Sequence, residues 1–198
     1  MHTPWLIIFA TSVIACGGQQ GRDATTSRDS LPLAAVTGPQ KALQPGEDSV
    51  ILRVRAHFAQ IERERSNYRC RTLSLEGFSA EGGGLEACYA GSRLRKLTAT
   101  YLGESGRGEE EYYFWNDSLE FLLRKTEHYS EPLSGKVVST DEDRFYWHGD
   151  RLVRWLNPQQ RSESLGSSEA ARQDRDARAT ALKLATCAAS LADSVCAA

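Results

Sequence analysis

Apolar positions along the chain change period several times, and each change marks a different kind of element. From Trp5 to Ala15 they are nearly continuous, eleven residues without a charge. A bilayer span takes about 20 residues, so this run has the length of a signal-peptide core instead. Residues 17–47 hold Pro32, Pro39 and Pro45 among Gly, Gln, Ser and Thr. Such a stretch buries too little to order itself and is expected to be a disordered tether, spanning roughly 30 Å as a random coil. Ile51, Val54, Phe58 and Ile61 then recur at intervals of 3, 4 and 3, the pattern of a helix with one buried stripe. Asp48 or Ser49 can cap it. Its other face, Arg53, Arg55, Glu62, Arg63, Glu64 and Arg65, is expected in solvent, with His57 at the surface beside them.

From Tyr68 to about Asn157 the period drops to two, which predicts strands over 70–76, 85–89, 94–102, 110–115, 119–127, 144–148 and 152–156. Gly91-Ser92, Asn116-Asp117 and Gly149-Asp150 are tight turns that tolerate positive φ. The hairpins they close echo one another: an aromatic strand end, a polar turn, then Leu94, Leu119 or Leu152 opening the return strand. Glu110–Trp115 also parallels Glu142–Trp147, which sets Trp115 and Trp147 32 residues apart. Tyr89 and Trp115 are 26 apart, so the period is too irregular for a solenoid or propeller. Residues 129–143, with Pro132 and Gly135, are expected as a surface excursion carrying at most a short strand at Val137-Val138. Residues 167–196 regain a helical period. Arg172/Asp176 and Asp174/Arg178 make opposite-charge pairs on an exposed first half. Leu184, Ala188, Leu191 and Val195 make the stripe of a docked second half. The expected fold is α+β: one domain, residues 48–198, with an antiparallel β-meander flanked by an N-terminal and a C-terminal helix.

The net charge of −2 and pI near 6.1 argue against nucleic-acid binding, which needs a basic footprint. Besides Cys16 there are four cysteines, Cys70, Cys88, Cys187 and Cys196; an even number in an exported chain suggests disulfides. No C-x₂-C pair or His at ligand spacing suggests zinc. Cys70–Cys88 would staple the first two strands, leaving Cys187 with Cys196. Nine residues of unbroken helix rise about 13.5 Å, while bonded Cα atoms lie under about 7 Å apart. That pair therefore requires the helix to break, near Ala192–Ser194; a straight helix would leave free thiols or send both to the sheet.

Ala15 before Cys16, with Val13 two residues earlier, resembles the lipobox of bacterial lipoproteins. The resemblance implies removal of residues 1–15, diacylation of Cys16 as the mature N-terminus, and residues 16–47 as lipidated Cys and tether. One acyl chain binds a membrane reversibly and two or more hold stably. Gly17 in place of Asp gives no argument for inner-membrane retention, so the expected location is the outer membrane, facing the periplasm or the cell surface. The same run would also serve an ordinary cleaved signal peptide or an uncleaved anchor. Glu111-Tyr112-Tyr113-Phe114, Arg144-Phe145-Tyr146 and Leu152-Val153-Arg154-Trp155, with Tyr101-Leu102-Gly103-Glu104-Ser105-Gly106, resemble uncharacterised secreted and lipoprotein sequences of bacteria over residues 75–156. This implies a β-rich envelope domain and carries no activity.

No G-x-S-x-G, H-E-x-x-H, P-loop or G-x-G-x-x-G motif is present. Gly82-Gly83-Gly84 lacks a following helix and reads as a loop. Glu109–Glu111 and Asp141–Asp143 could meet across hairpins and hold Ca²⁺, but successive strand side chains point to opposite faces, so only part of either run converges. His128 or His148 could act as a base, with no nucleophile named beside either. No cofactor or metal is expected. Aromatic density stands out: 11 of 17 aromatics lie between Tyr101 and Trp155. Tyr112 and Phe114 face one side of their strand and Tyr113 and Trp115 the other, as Phe145 and Trp147 oppose Tyr146. One face is core. The second is either covered by a helix, or exposed as a binding face anchored by Tyr113, Trp115 and Tyr146. The leading expectation is a non-catalytic envelope lipoprotein that binds or scaffolds an envelope protein or glycan; the alternative is an envelope hydrolase or hydrolase inhibitor.

Overall fold

The computed structural model describes residues 45–190 and 195–198. The expected signal peptide, Cys16, nearly all of the tether and the expected helix break at Ala192–Ser194 lie outside the described residues.

Helix α1 spans Pro45–Glu64 and starts ahead of Asp48. Glu47 and Asp48 sit inside its first turn, where carboxylates suit the unpaired N–H groups of the helix end. They act within the helix and not as its cap. After one 3₁₀ turn, Arg65–Asn67, come β1 (Arg69–Glu76), β2 (Gly83–Ala90), β3 (Arg93–Gly103), β4 (Gly106–Trp115), β5 (Ser118–Tyr129), β6 (Val137–His148) and β7 (Arg151–Leu156). Helix α2 (Ser168–Ala189) and β8 (Val195–Ala197) complete the described chain. Gly83 and Gly84 belong to β2 and are not loop; a Cβ at Gly83 would lie 2.0 Å from the Thr100 carbonyl oxygen, so the close strand approach requires glycine.

Among the described residues the sheet has eight strands in the order β7-β6-β5-β4-β3-β2-β1-β8. Neighbours from β1 to β7 pair antiparallel, while β8 runs parallel to β1, Cys196 opposite Leu75. The α+β class holds, but the sheet is mixed and not purely antiparallel. Three residues are too short to register a period, and the pairing of β8 depends on where α2 delivers the chain.

Ser167 caps α2, its Oγ accepting from the Ala170 N–H at 3.1 Å. The helix ends at Ala189, before the expected break, which lets Cys187 in its last turn bond Cys196 at a Cα separation of 5.5 Å. Cys70–Cys88 joins direct cross-strand partners on β1 and β2. Ala170, Ala177, Ala181, Leu184 and Ala188 are all buried, so α2 docks along its whole length and the expectation of an exposed first half fails. An alanine stripe is too weakly apolar to stand out from its neighbours. The excursion expected over 129–143 shrinks to a loop at 130–136, because β6 begins at Val137. Val137–Asp141 are exposed on both sides, which leaves no alternation to read.

The two helices cover opposite faces of the sheet. Under α2 lie Leu73, Leu85, Leu97, Tyr112, Phe114, Leu122, Phe145 and Trp147; under α1 lie Tyr113, Phe121, Tyr146, Val153 and Leu156. The three echoing hairpins carry a register shift at the same place, at Cys88/Tyr89, Tyr113/Phe114 and Tyr146/Trp147. Each return strand supplies one extra residue there: Arg95, Glu120 or Val153. Such bulges bend a strand and re-aim its side chains. Here they place two successive residues on the α1 side and restore the α2 side at Leu97, Leu122 and Trp155. The register aligns Tyr113 with Tyr146 and Phe114 with Trp147, so the true offset is 33 and not 32, and Trp115 and Trp147 face opposite ways. A slip of one residue exchanges the faces of a strand.

Candidate functional site

The tips of all three bulged hairpins lie at one end of the sheet. With the second half of α2 they enclose a cleft of about 570 Å³. Tyr89, Leu94, Phe114 and Leu119 from the hairpins and Ala181 and Ala185 from α2 form its apolar walls. Small side chains on α2 set the wall-to-wall distance, and the Leu that opens each return strand points to this face. Ser92, Asp117, Ser118 and Asp150 come from the turns. The Asn116-Asp117 turn holds φ at 49° and 61°, values that suit a two-residue hairpin. Arg178 closes one side by donating to the Asp150 carbonyl oxygen at 2.5 Å, with the Asp150 carboxylate 3.4 Å away. Leu182 is 70% exposed at the lip. The lining includes no His, and neither of its serine hydroxyls is hydrogen-bonded to Asp117 or Asp150 among the described residues. Apolar walls with a few convergent polar groups are the general make-up of ligand clefts.

Tyr113, Trp115 and Tyr146 come together on the other face, but not as exposed anchors. Tyr113 and Tyr146 are buried beneath α1. Trp115 is half-buried in a stack, with the His57 ring parallel at 3.9 Å on one side and the Arg95 guanidinium 4.7 Å from its centroid. His57 is not a free surface residue: its Nδ1 lies 2.6 Å from the Glu120 carboxylate. Two of the three bulge residues, Arg95 and Glu120, thus build this cluster.

Deeper under α1, the Lys96 ammonium is buried against Glu62 Oε1 at 2.8 Å and Glu111 Oε1 at 3.2 Å, over the Tyr113 ring. The Tyr113 hydroxyl, with one proton to donate, lies between both carboxylates, 2.8 Å from Glu62 and 2.7 Å from Glu111. Burial and these carboxylates push the phenol far above its ordinary range. Burial alone would raise Glu62, but hydrogen bonds from Lys96 and Tyr113 and the Lys96 charge outweigh it and hold its carboxyl below the usual value. On the α2 face Glu110 accepts from Tyr101, Tyr112 and Arg124, and Arg124 reaches on to Gln173 of α2. Tyr101 and Tyr112 are pushed up by burial and then by Glu110.

The Glu109–Glu111 run therefore splits between faces. Glu109 pairs with Lys125 at 3.3 Å, Glu110 with Arg124 and Glu111 with Lys96. In the other run Asp141 meets His128 at 3.1 Å, Glu142 meets Arg144, and Asp143 accepts from the Trp155 indole at 2.7 Å. His128 lies at the outer end of β5 and His148 at the tip end of β6, both exposed and far apart along the sheet. Cys70, Glu86 and Cys88 have metal-ligand proximity, but both sulfurs are committed to their disulfide. No helix among the described residues is long and apolar enough to cross a membrane.

Sequence reasoning missed Arg95, Lys96, Glu120 and the α2 cleft. A signal for the bulges was present: Leu94…Leu97, Leu119…Leu122 and Leu152…Trp155 step by three where a regular strand steps by two. No protein-family model, curated protein or solved structure matches this chain.

Proposed function

We propose that the protein is a membrane-anchored envelope lipoprotein that binds or scaffolds another envelope component, protein or glycan, without catalysis. The observation that carries this reading is the cleft of about 570 Å³ at the hairpin tips, apolar-walled and rimmed by turn residues. Two disulfides suit an oxidising compartment. Lipid on Cys16 would hold the domain at the outer membrane, at the end of its tether. A photocrosslinker at Ser92, used on the full chain in solubilised membranes, tests the reading. Capture of one stoichiometric partner, lost on Leu182→Glu, is the expected result. Capture unaffected by Leu182→Glu refutes the cleft as the binding site. Palmitate labelling that survives Cys16→Ala refutes the anchor.

A further inference from the structure

On the α1 face a second, smaller cleft of about 240 Å³ opens between the middle of α1 and strands β5 and β6. Phe58, Phe121, Leu123 and Tyr146 give it an apolar lining. Arg55 enters from α1 and Arg144 from β6. Arg144 already pairs with Glu142 at 2.5 Å. Arg55 is exposed and has no hydrogen-bond or ion-pair partner among the described residues. Tyr146 is only 3% exposed, yet its hydroxyl also has no hydrogen-bond partner among the described residues. The hydroxyl itself keeps solvent contact, so it is open to a ligand at the cleft that Tyr146 lines. The cleft thus combines an apolar lining, one uncommitted cation and one uncommitted neutral donor.

We propose that this cleft binds a small amphipathic monocarboxylate, its tail against Phe58, Phe121 and Leu123 and its carboxylate held by Arg55 and the Tyr146 hydroxyl. A guanidinium fork matches a carboxylate. One uncommitted positive charge matches one negative charge, and the solvent-accessible Tyr146 hydroxyl can donate to the same carboxylate. Pockets for drug-sized ligands run to about 300–1,000 Å³, so this volume suits one short chain or ring. The site lies across the sheet from the hairpin-tip cleft and does not depend on the function proposed there.

Octanoate, 1-octanol and octylammonium, titrated separately into the full chain while the methyl resonances of Val54 and Leu123 are followed, provide the test. Octanoate is expected to bind saturably and about tenfold tighter than octanol, with octylammonium weakest. Arg55→Gln and Tyr146→Phe should each weaken octanoate several-fold and leave octanol unchanged. Tyr146→Phe retains the ring and Arg55→Gln shortens an exposed side chain, and an unchanged thermal melt verifies the fold. Octanol or octylammonium binding as tightly as octanoate overturns the proposal. So do unmoved Val54 and Leu123 methyls, or full octanoate affinity in both variants.

Discussion

The two faces of the sheet solve the same packing problem with opposite means. On the α2 face the sheet brings the bulk (Tyr112, Phe114, Phe145, Trp147) and the helix brings alanine. On the α1 face both sides bring bulk: Val50, Ile51, Val54, Phe58 and Ile61 meet Tyr113, Phe121 and Tyr146. Small against large allows close approach, whereas large against large interdigitates. Each face also buries a charge network, and the networks are neighbours in sequence: Glu110 serves α2, Glu111 serves α1. The α2 network is anchored by a guanidinium and the α1 network by an ammonium with two carboxylates. Strand alternation alone assigns them.

Substitution should separate the faces. Trp147→Ala removes a fully buried ring and its indole bond to Asp174, with an expected cost of about 3–5 kcal/mol by chemical denaturation. A loss below about 2 kcal/mol would mean that α2 collapses onto the gap and does not set the spacing. Lys96→Met leaves Glu62 and Glu111 facing each other without their cation. Because both carboxylates are partly solvated, about 2–3 kcal/mol is expected. Adding Glu111→Gln should restore part of that, and strict additivity would deny the network. Ala177→Leu tests the small-against-large design, since Ala177 is fully buried; overpacking should cost about 1–3 kcal/mol.

Trp115→Ala should cost less, about 1–2 kcal/mol, because the ring is half-buried and stacked between His57 and Arg95. A melting temperature as low as that of Trp147→Ala would erase the distinction between the two tryptophans. The smallest effect concerns pH. The Glu62 carboxyl is lowered from its ordinary 4.5. Its contribution to stability is therefore fully present above that value and is lost as the pH falls below it. Glu62→Gln should flatten the acid limb of the stability curve below pH 4.5, and an unchanged limb would remove Glu62 from the network's account.

Periodicity by itself determined much of this protein. The 3-4-3 stripe of α1, seven of the strands and all three hairpin turns follow from residue order, because a half-buried element must repeat its apolar side at its own pitch. Cysteine parity suggested two disulfides without fixing their partners; once Cys187 is paired with Cys196, disulfide geometry requires the helix to stop short of Cys196, and it ends at Ala189. What escaped is what depends on a partner element. The alanine stripe of α2 becomes a buried face only when bulky strands meet it. β6 reads as loop where its outer half has no helix over it. β8 exists because α2 delivers it to the edge of β1. Whether Tyr113 and Tyr146 are anchors or core was decided by α1 lying over them, since an aromatic side chain is the same in either place. The hairpin-tip cleft is likewise tertiary. It is the gap left between three turns and a helix from the other end of the domain, and no run of adjacent residues encodes a gap.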